Sequence, residues 1–107
     1  MEENGLLRHF FGGFVRLHIL HHAAEDNICG VAMIEELKRH GYRLSPGTLY
    51  PILHSLEQSD YLTATDEVVD GKRRKNYRIT PKGRKLLTEA RAKLRELVDE
   101  VVGGDRS

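Results

Sequence analysis

Apolar positions recur along this chain in four blocks at helical spacing, and one stretch between the third and fourth alternates as a strand does. The first block runs from Leu6 to about Ala24. Its apolar residues are Leu6, Leu7, Phe10, Phe11, Phe14, Val15, Leu17, Ile19, Leu20, Ala23 and Ala24. That set is wider than the single stripe of a surface helix, so it predicts contact on two sides, with its own domain and with a partner chain. Gly12-Gly13 weakens this helix by roughly 1 kcal/mol per glycine relative to alanine and marks a close helix approach or a kink. Glu25-Asp26-Asn27 is a short polar loop. A second helix follows from Cys29 or Gly30 to His40, with Val31, Ile34, Leu37 and Lys38 on one side. Gly41 suits a left-handed C-terminal cap. The connection Gly41-Tyr42-Arg43-Leu44 leads into a third helix, and two helices joined by a few residues containing glycine match a helix-turn-helix.

The third helix spans 45–59. Ser45 is its expected N-cap and Pro46 its first helical residue. Leu49, Ile52, Leu53 and Leu56 form its apolar back. Ser45, Thr48, Tyr50 and His54 form its front, and Glu57 is the only formal charge between Pro46 and Gln58. A short, hydrogen-bonding, nearly uncharged front suits a DNA major groove. Pro51 is expected at a tolerated early-turn position. The period then changes. Tyr61 to Val69 reads as a strand. Asp70-Gly71 is a strong hairpin signal, because glycine tolerates the positive φ of a type I′ turn. Lys72 to Ile79 reads as the return strand, with Lys75, Tyr77 and Ile79 on one face and Arg74, Asn76 and Arg78 on the other. Thr80-Pro81 repeats the N-cap and proline logic. The last helix runs to about Val102 and stops at Gly103-Gly104. Leu87, Ala90, Leu94, Leu97 and Val101 make a seam of the coiled-coil type along it, widened by Leu86 and Val98. A mostly helical chain with one small β-hairpin, in this order, is a winged helix-turn-helix followed by a C-terminal dimerisation helix.

Charge sharpens that picture. The formal net charge is +1, but eight basic and no acidic residues lie between Lys72 and Lys85. Removing those eight from seventeen basic residues leaves nine against sixteen acidic ones elsewhere. A concentrated basic stretch in an otherwise acidic chain points to an anionic partner. At 107 residues the chain is expected to be one compact unit with a modest core, helped by a second copy. No apolar run reaches the ~18–20 residues that span a membrane. The acidic start Met-Glu-Glu-Asn lacks a signal peptide's basic residues. A single cysteine, Cys29, excludes an internal disulfide. A cytoplasmic location fits all three.

Ser45-Pro46-Gly47-Thr48-Leu49-Tyr50-Pro51-Ile52-Leu53, followed by Leu56-Glu57, closely resembles the recognition-helix signature of the PadR family of transcriptional regulators. The run from Gly71 to Arg84 resembles that family's wing and the start of its last helix. The resemblance covers about residues 6 to 100. It implies a homodimeric DNA-binding regulator, usually a repressor, often released by a small molecule, and it implies no enzyme activity and no cofactor. The single short C-terminal helix resembles the smaller subfamily, in which the first and last helices build the dimer. Residues 1–80 would then form the winged helix-turn-helix with its N-terminal helix, and 81–107 the dimerisation helix and tail. The expected DNA contacts are Tyr42, Arg43, Ser45, Thr48, Tyr50, His54, Lys72, Arg73, Arg74 and Lys75. The expected dimer residues are Leu87, Ala90, Leu94, Leu97, Val98, Val101, Phe10 and Phe14. An effector would lie between subunits, against Phe10, Phe14, Leu17 and the last helix. The chain departs from the family at Asp60-Tyr61, where glycine is usual, at Val31-Ala32, where an aromatic commonly follows Gly30, and in having no tryptophan.

Two other readings stand beside this one. Exposed apolar helices also suit a protein-interaction module that binds no DNA. His18, His21 and His22 have spacings that place two imidazoles on one helical face, which suits a metal-binding protein of the same fold. No His-Glu-x-x-His pattern accompanies them. Cys29 has no basic neighbour to make it a reactive thiol.

Overall fold

The computed structural model describes residues 5–103. Met1 to Asn4 and the expected stop residue Gly104 lie outside the described residues. The elements run α1 (Gly5–Glu25), β1 (Ile28–Cys29), α2 (Gly30–Arg39), α3 (Pro46–Gln58), β2 (Leu62–Val69), β3 (Lys72–Ile79) and α4 (Pro81–Leu97). The helical path continues beyond α4 as a π-turn segment, Val98–Val102. The expected helices, hairpin and C-terminal helix are all present.

Apolar periodicity selects the core. Val15, Ile19, Leu20 and Ala23 of α1 meet Met33 and Leu37 of α2. Leu49, Leu53 and Leu56 of α3 close one side, while Leu62, Tyr77, Ile79 and Leu87 close the other. Burying each large aliphatic side chain is worth about 1.5–3 kcal/mol relative to leaving it in water, so these few residues dominate the fold's stability. α1 passes through Gly12-Gly13 unbroken.

The sheet has three strands, not the two of a bare hairpin. Their order is β1-β3-β2, and β3 pairs antiparallel on both edges. Ile28 faces Tyr77 and Cys29 faces Asn76. A two-residue strand is too short to show alternation, which is why 25–29 reads from sequence as loop and helix start. The hairpin turn is as expected, with Asp70 at φ 53° and Gly71 at φ 76°.

Helix ends set the angles between elements. Gly41 closes α2 at φ 90°, its N–H donating to the Lys38 carbonyl (3.0 Å) and that of Tyr42 to Leu37 (2.9 Å). This is a Schellman cap. α3 ends in the same way, with Asp60 and Tyr61 donating to Glu57 and Leu56, both at 2.9 Å. Here the left-handed position is held by Asp60, at φ 67°, at the site where glycine was expected. Thr80 caps α4. Its hydroxyl accepts from the Gly83 N–H (2.9 Å) and donates to the Asp60 carbonyl (2.6 Å), tying α4 to the end of α3.

Ser45 occupies the N-cap position of α3, but its side chain does not cap a backbone N–H. Its hydroxyl donates to Thr48 Oγ1 instead (3.3 Å). Pro51 is the sixth residue of α3, past the first turn. The carbonyl it cannot serve belongs to Gly47, which is exposed and open to water.

Candidate nucleic-acid interface

The apolar back of α3 is anchored in the core through Leu49, Leu53 and Leu56, with Ile52 half-buried. That anchoring turns Ser45, Thr48, Tyr50 and His54 to solvent. The front has no formal charge, so it offers hydroxyls, one imidazole and the N-terminal backbone of a helix to whatever it meets.

Tyr50 has a second constraint. A Cβ built on Gly30 would stand 2.2 Å from its hydroxyl oxygen and 2.5 Å from the ring. Only glycine at the start of α2 leaves room for the ring there. Tyr50 therefore packs over the α2 start while remaining 39% exposed. Packing there leaves part of the ring exposed on the α3 front.

The hairpin brings its basic residues beside this tyrosine. Tyr50, Lys72, Arg73, Arg74 and Lys75 line one cleft of about 400 Å³, together with the α2 start. Within the basic stretch the structure separates two kinds of residue. Arg78 donates to Asn27 Oδ1 (2.9 Å), Lys82 to the Ser59 carbonyl (3.0 Å) and Arg84 to the Ala24 carbonyl (3.2 Å). Lys75 lies 3.9 Å from Glu57, joining the wing to α3. Lys72, Arg73 and Arg74, and Lys85 on α4, are exposed and have no side-chain partner among the described residues. The positive charge free to meet an anion is thus concentrated at the wing tip. Nothing in sequence separates these groups, because their partners lie 18 to 60 positions away.

The remaining expected contacts divide. Arg43 and Thr48 border a second cleft beside α1, and Arg43 and Ser45 a third beside α2. Tyr42 turns inward: it is half-buried, packs on the core and sits 5.4 Å from the His18 ring. The Schellman turn at Gly41 aims it there, so it does not share the exposed front.

The expected dimer residues form a graded series. Leu87 is 5% exposed and belongs to the core of its own chain. Ala90 and Leu94 are half-buried, and Leu97, Val98 and Val101 are exposed. On α1, the Phe10 and Phe14 rings pack at a tilt of 45° with centroids 4.5 Å apart, and Phe10 is exposed. An open groove of about 370 Å³ separates α1 from α4, lined by Phe14, Leu17, His18, His21, Leu87, Arg91 and Leu94. Phe10, expected there, does not line it.

Comparison with known proteins places these features in a group. Residues 19–89 match the transcriptional regulator PadR-like family. The chain is 55% identical over 98 residues to Transcriptional regulator Rv3488 of Mycobacterium tuberculosis, covering 92% of each chain. A PadR-like transcription factor from Bacteroides fragilis superimposes with a TM-score of 0.79 at 28% identity, over 92% of this chain and 96% of that one. A PadR-like transcriptional regulator from Bacillus cereus is similar in fold, with a TM-score of 0.82 at 24% identity, over 92% and 98% of the two chains. Among the described residues, no helix is long and apolar enough to cross a membrane.

Proposed function

Because this chain belongs to the PadR-like family of transcriptional regulators, we propose that it is a homodimeric repressor whose α3 helices enter successive major grooves of an operator. The observation that carries this reading is the cleft that sets Tyr50 of α3 beside Lys72, Arg73 and Arg74 at the wing tip, three basic residues with no side-chain partner among the described residues. Ser45, Thr48 and His54 meet base edges or phosphates, and Tyr50 packs on the backbone beside them. Lys72, Arg73 and Arg74 supply phosphate contacts. The α3 front lacks arginine, asparagine and glutamine, the side chains that make bidentate base contacts. Specificity then comes largely from DNA shape and from half-site spacing. The exposed ends of α1 and α4 supply the dimer contact that sets that spacing. In this reading 1–80 is the DNA-binding unit and 81–107 the dimerisation helix with its tail. A small apolar effector would occupy the α1–α4 groove, whose volume suits such a ligand.

A gel-shift salt series tests the reading. Affinity for operator DNA should fall steeply as salt rises, and Arg74→Ala should reduce the slope by about 1 per binding chain. It should also weaken binding almost equally for all DNA sequences. Binding that is insensitive to salt would overturn the phosphate-contact assignment.

A further inference from the structure

The histidines of α1 meet a partner that no local spacing shows. His18 and His22 lie one turn apart on α1, and Glu36 and His40 lie one turn apart at the end of α2. The two helices cross so that ring nitrogens of His18, His22 and His40 lie within 4.8 Å of one another. His18 and His40 stack with centroids 4.5 Å apart. Glu36 places a carboxylate oxygen 3.9 Å from Nε2 of His22. That Nε2 is buried and makes no hydrogen bond, and an unpaired buried polar atom costs about 1–3 kcal/mol.

We propose that His18, His22 and His40, with the adjacent Glu36 carboxylate, form a binding site for a divalent transition-metal cation of the zinc, cobalt or nickel type. Three imidazoles and a carboxylate make a nitrogen-rich donor set, which these ions take and magnesium or calcium do not. Ligands around a tetrahedral ion with bonds of about 2.0–2.1 Å stand about 3.4 Å apart. The ring nitrogens need close by little more than an ångström, and His40 stands exposed at the end of α2. Metal ligation needs neutral imidazoles. Burial, with repulsion from His40 and the other histidines, holds His18 below the ordinary imidazole range. Burial holds His22 below it too, against the pull of Glu36.

His21 does not belong to this set. It shares a neighbourhood with His22 and Glu25, but Glu25 lies 3.6 Å from its Nε2 and Arg91 3.4 Å from its Nδ1. Those partners already engage both of its nitrogens, and the arginine opposes a cation. The position of His40 gives the site a consequence. It caps α2 immediately before the turn that leads to α3, so an ion there ties α1 to the segment that orients the recognition helix. Occupancy would then change operator affinity. This regulatory consequence rests on the DNA-binding reading above; the metal site does not.

The test is titration of the untagged full chain with cobalt(II) chloride, followed by the visible d–d absorption of ligated cobalt. One equivalent per chain is expected, displaced by zinc. His40→Ala and His22→Gln should each lower affinity at least roughly tenfold, and His21→Ala should leave it unchanged. Melting curves recorded in chelator establish that each variant folds; His40 is exposed, so its variant keeps the apo fold. No absorption at stoichiometric cobalt overturns the site, as does uptake that survives both His40→Ala and His22→Gln, or uptake lost in His21→Ala. A second arm compares operator affinity with and without zinc. A zinc effect in the parent chain and none in His40→Ala supports the regulatory link. No zinc effect alongside normal cobalt uptake overturns that link alone, and failure to bind DNA at all overturns the DNA-binding reading while leaving the cobalt result to stand.

Discussion

Asp60 shows how a single residue can depart from a family pattern while the backbone keeps the pattern's geometry. It holds φ at 67° in the cap that ends α3, where a side chain bearing a Cβ costs about 1–2 kcal/mol relative to the right-handed region. Glycine avoids that cost at the expense of a more flexible unfolded chain. The cap bonds from Asp60 and Tyr61 are backbone bonds, and glycine would retain them. Asp60→Gly should therefore raise stability by about 1 kcal/mol, read as a higher urea midpoint with an unchanged slope. The residue type marked this position in the sequence. The positive φ that gives it meaning came only from the fold. The same holds for Ser45 and Tyr42: position along the chain identified the N-cap and the turn, but the direction of each side chain depended on neighbours not local in sequence.

At the scale of elements, β3 was legible in full, because its alternation and the Asp70-Gly71 turn are local signals. Its central place in a three-stranded sheet was not, since β1 is two residues long and pairs with Tyr77 and Asn76 from far along the chain. Tyr77 pays for that centrality in its acid–base behaviour. Burial raises its pKa above the ordinary tyrosine value of 10.0, and the nearby Glu57 and Tyr50 raise it further. The neutral phenol is thus favoured by the folded state. Its contribution is fully present below pH 10 and is lost as pH rises through the higher folded value, because the unfolded chain ionises first. Thermal melts should show a steeper loss of stability between pH 9 and 11 for the parent than for Tyr77→Phe. Equal losses would assign the alkaline sensitivity to other groups.

At the scale of the whole molecule, much of the exposed apolar surface among the described residues lies at the ends of α1 and α4. Leu6 is 76% exposed, and Val101 69%. The seam read from sequence is divided by the fold. Leu87 serves the chain's own core, while Leu97, Val98 and Val101 remain outward. If those outward residues form the dimer contact, Leu97→Glu with Val101→Glu should give a folded monomer in sedimentation velocity. The same pair should weaken operator binding by removing the second half-site. Leu87→Ala should instead destabilise the chain itself by about 2–5 kcal/mol, since it opens a cavity in the core.

The sequence by itself determined the order of the four helices and the hairpin, the hairpin turn, the Thr80 cap of the last helix and the family, because periodicity, turn residues and a nine-residue signature are local properties of the chain. The tertiary structure alone decided which basic residues are free and which are fastened to Asn27, Ser59 and Ala24. It also decided that Gly30 makes room for Tyr50, and that His18 and His22 of α1 meet His40 at the end of α2. Each of these depends on a distance between residues far apart in the chain, and only packing of the helices and sheet around the core sets such distances.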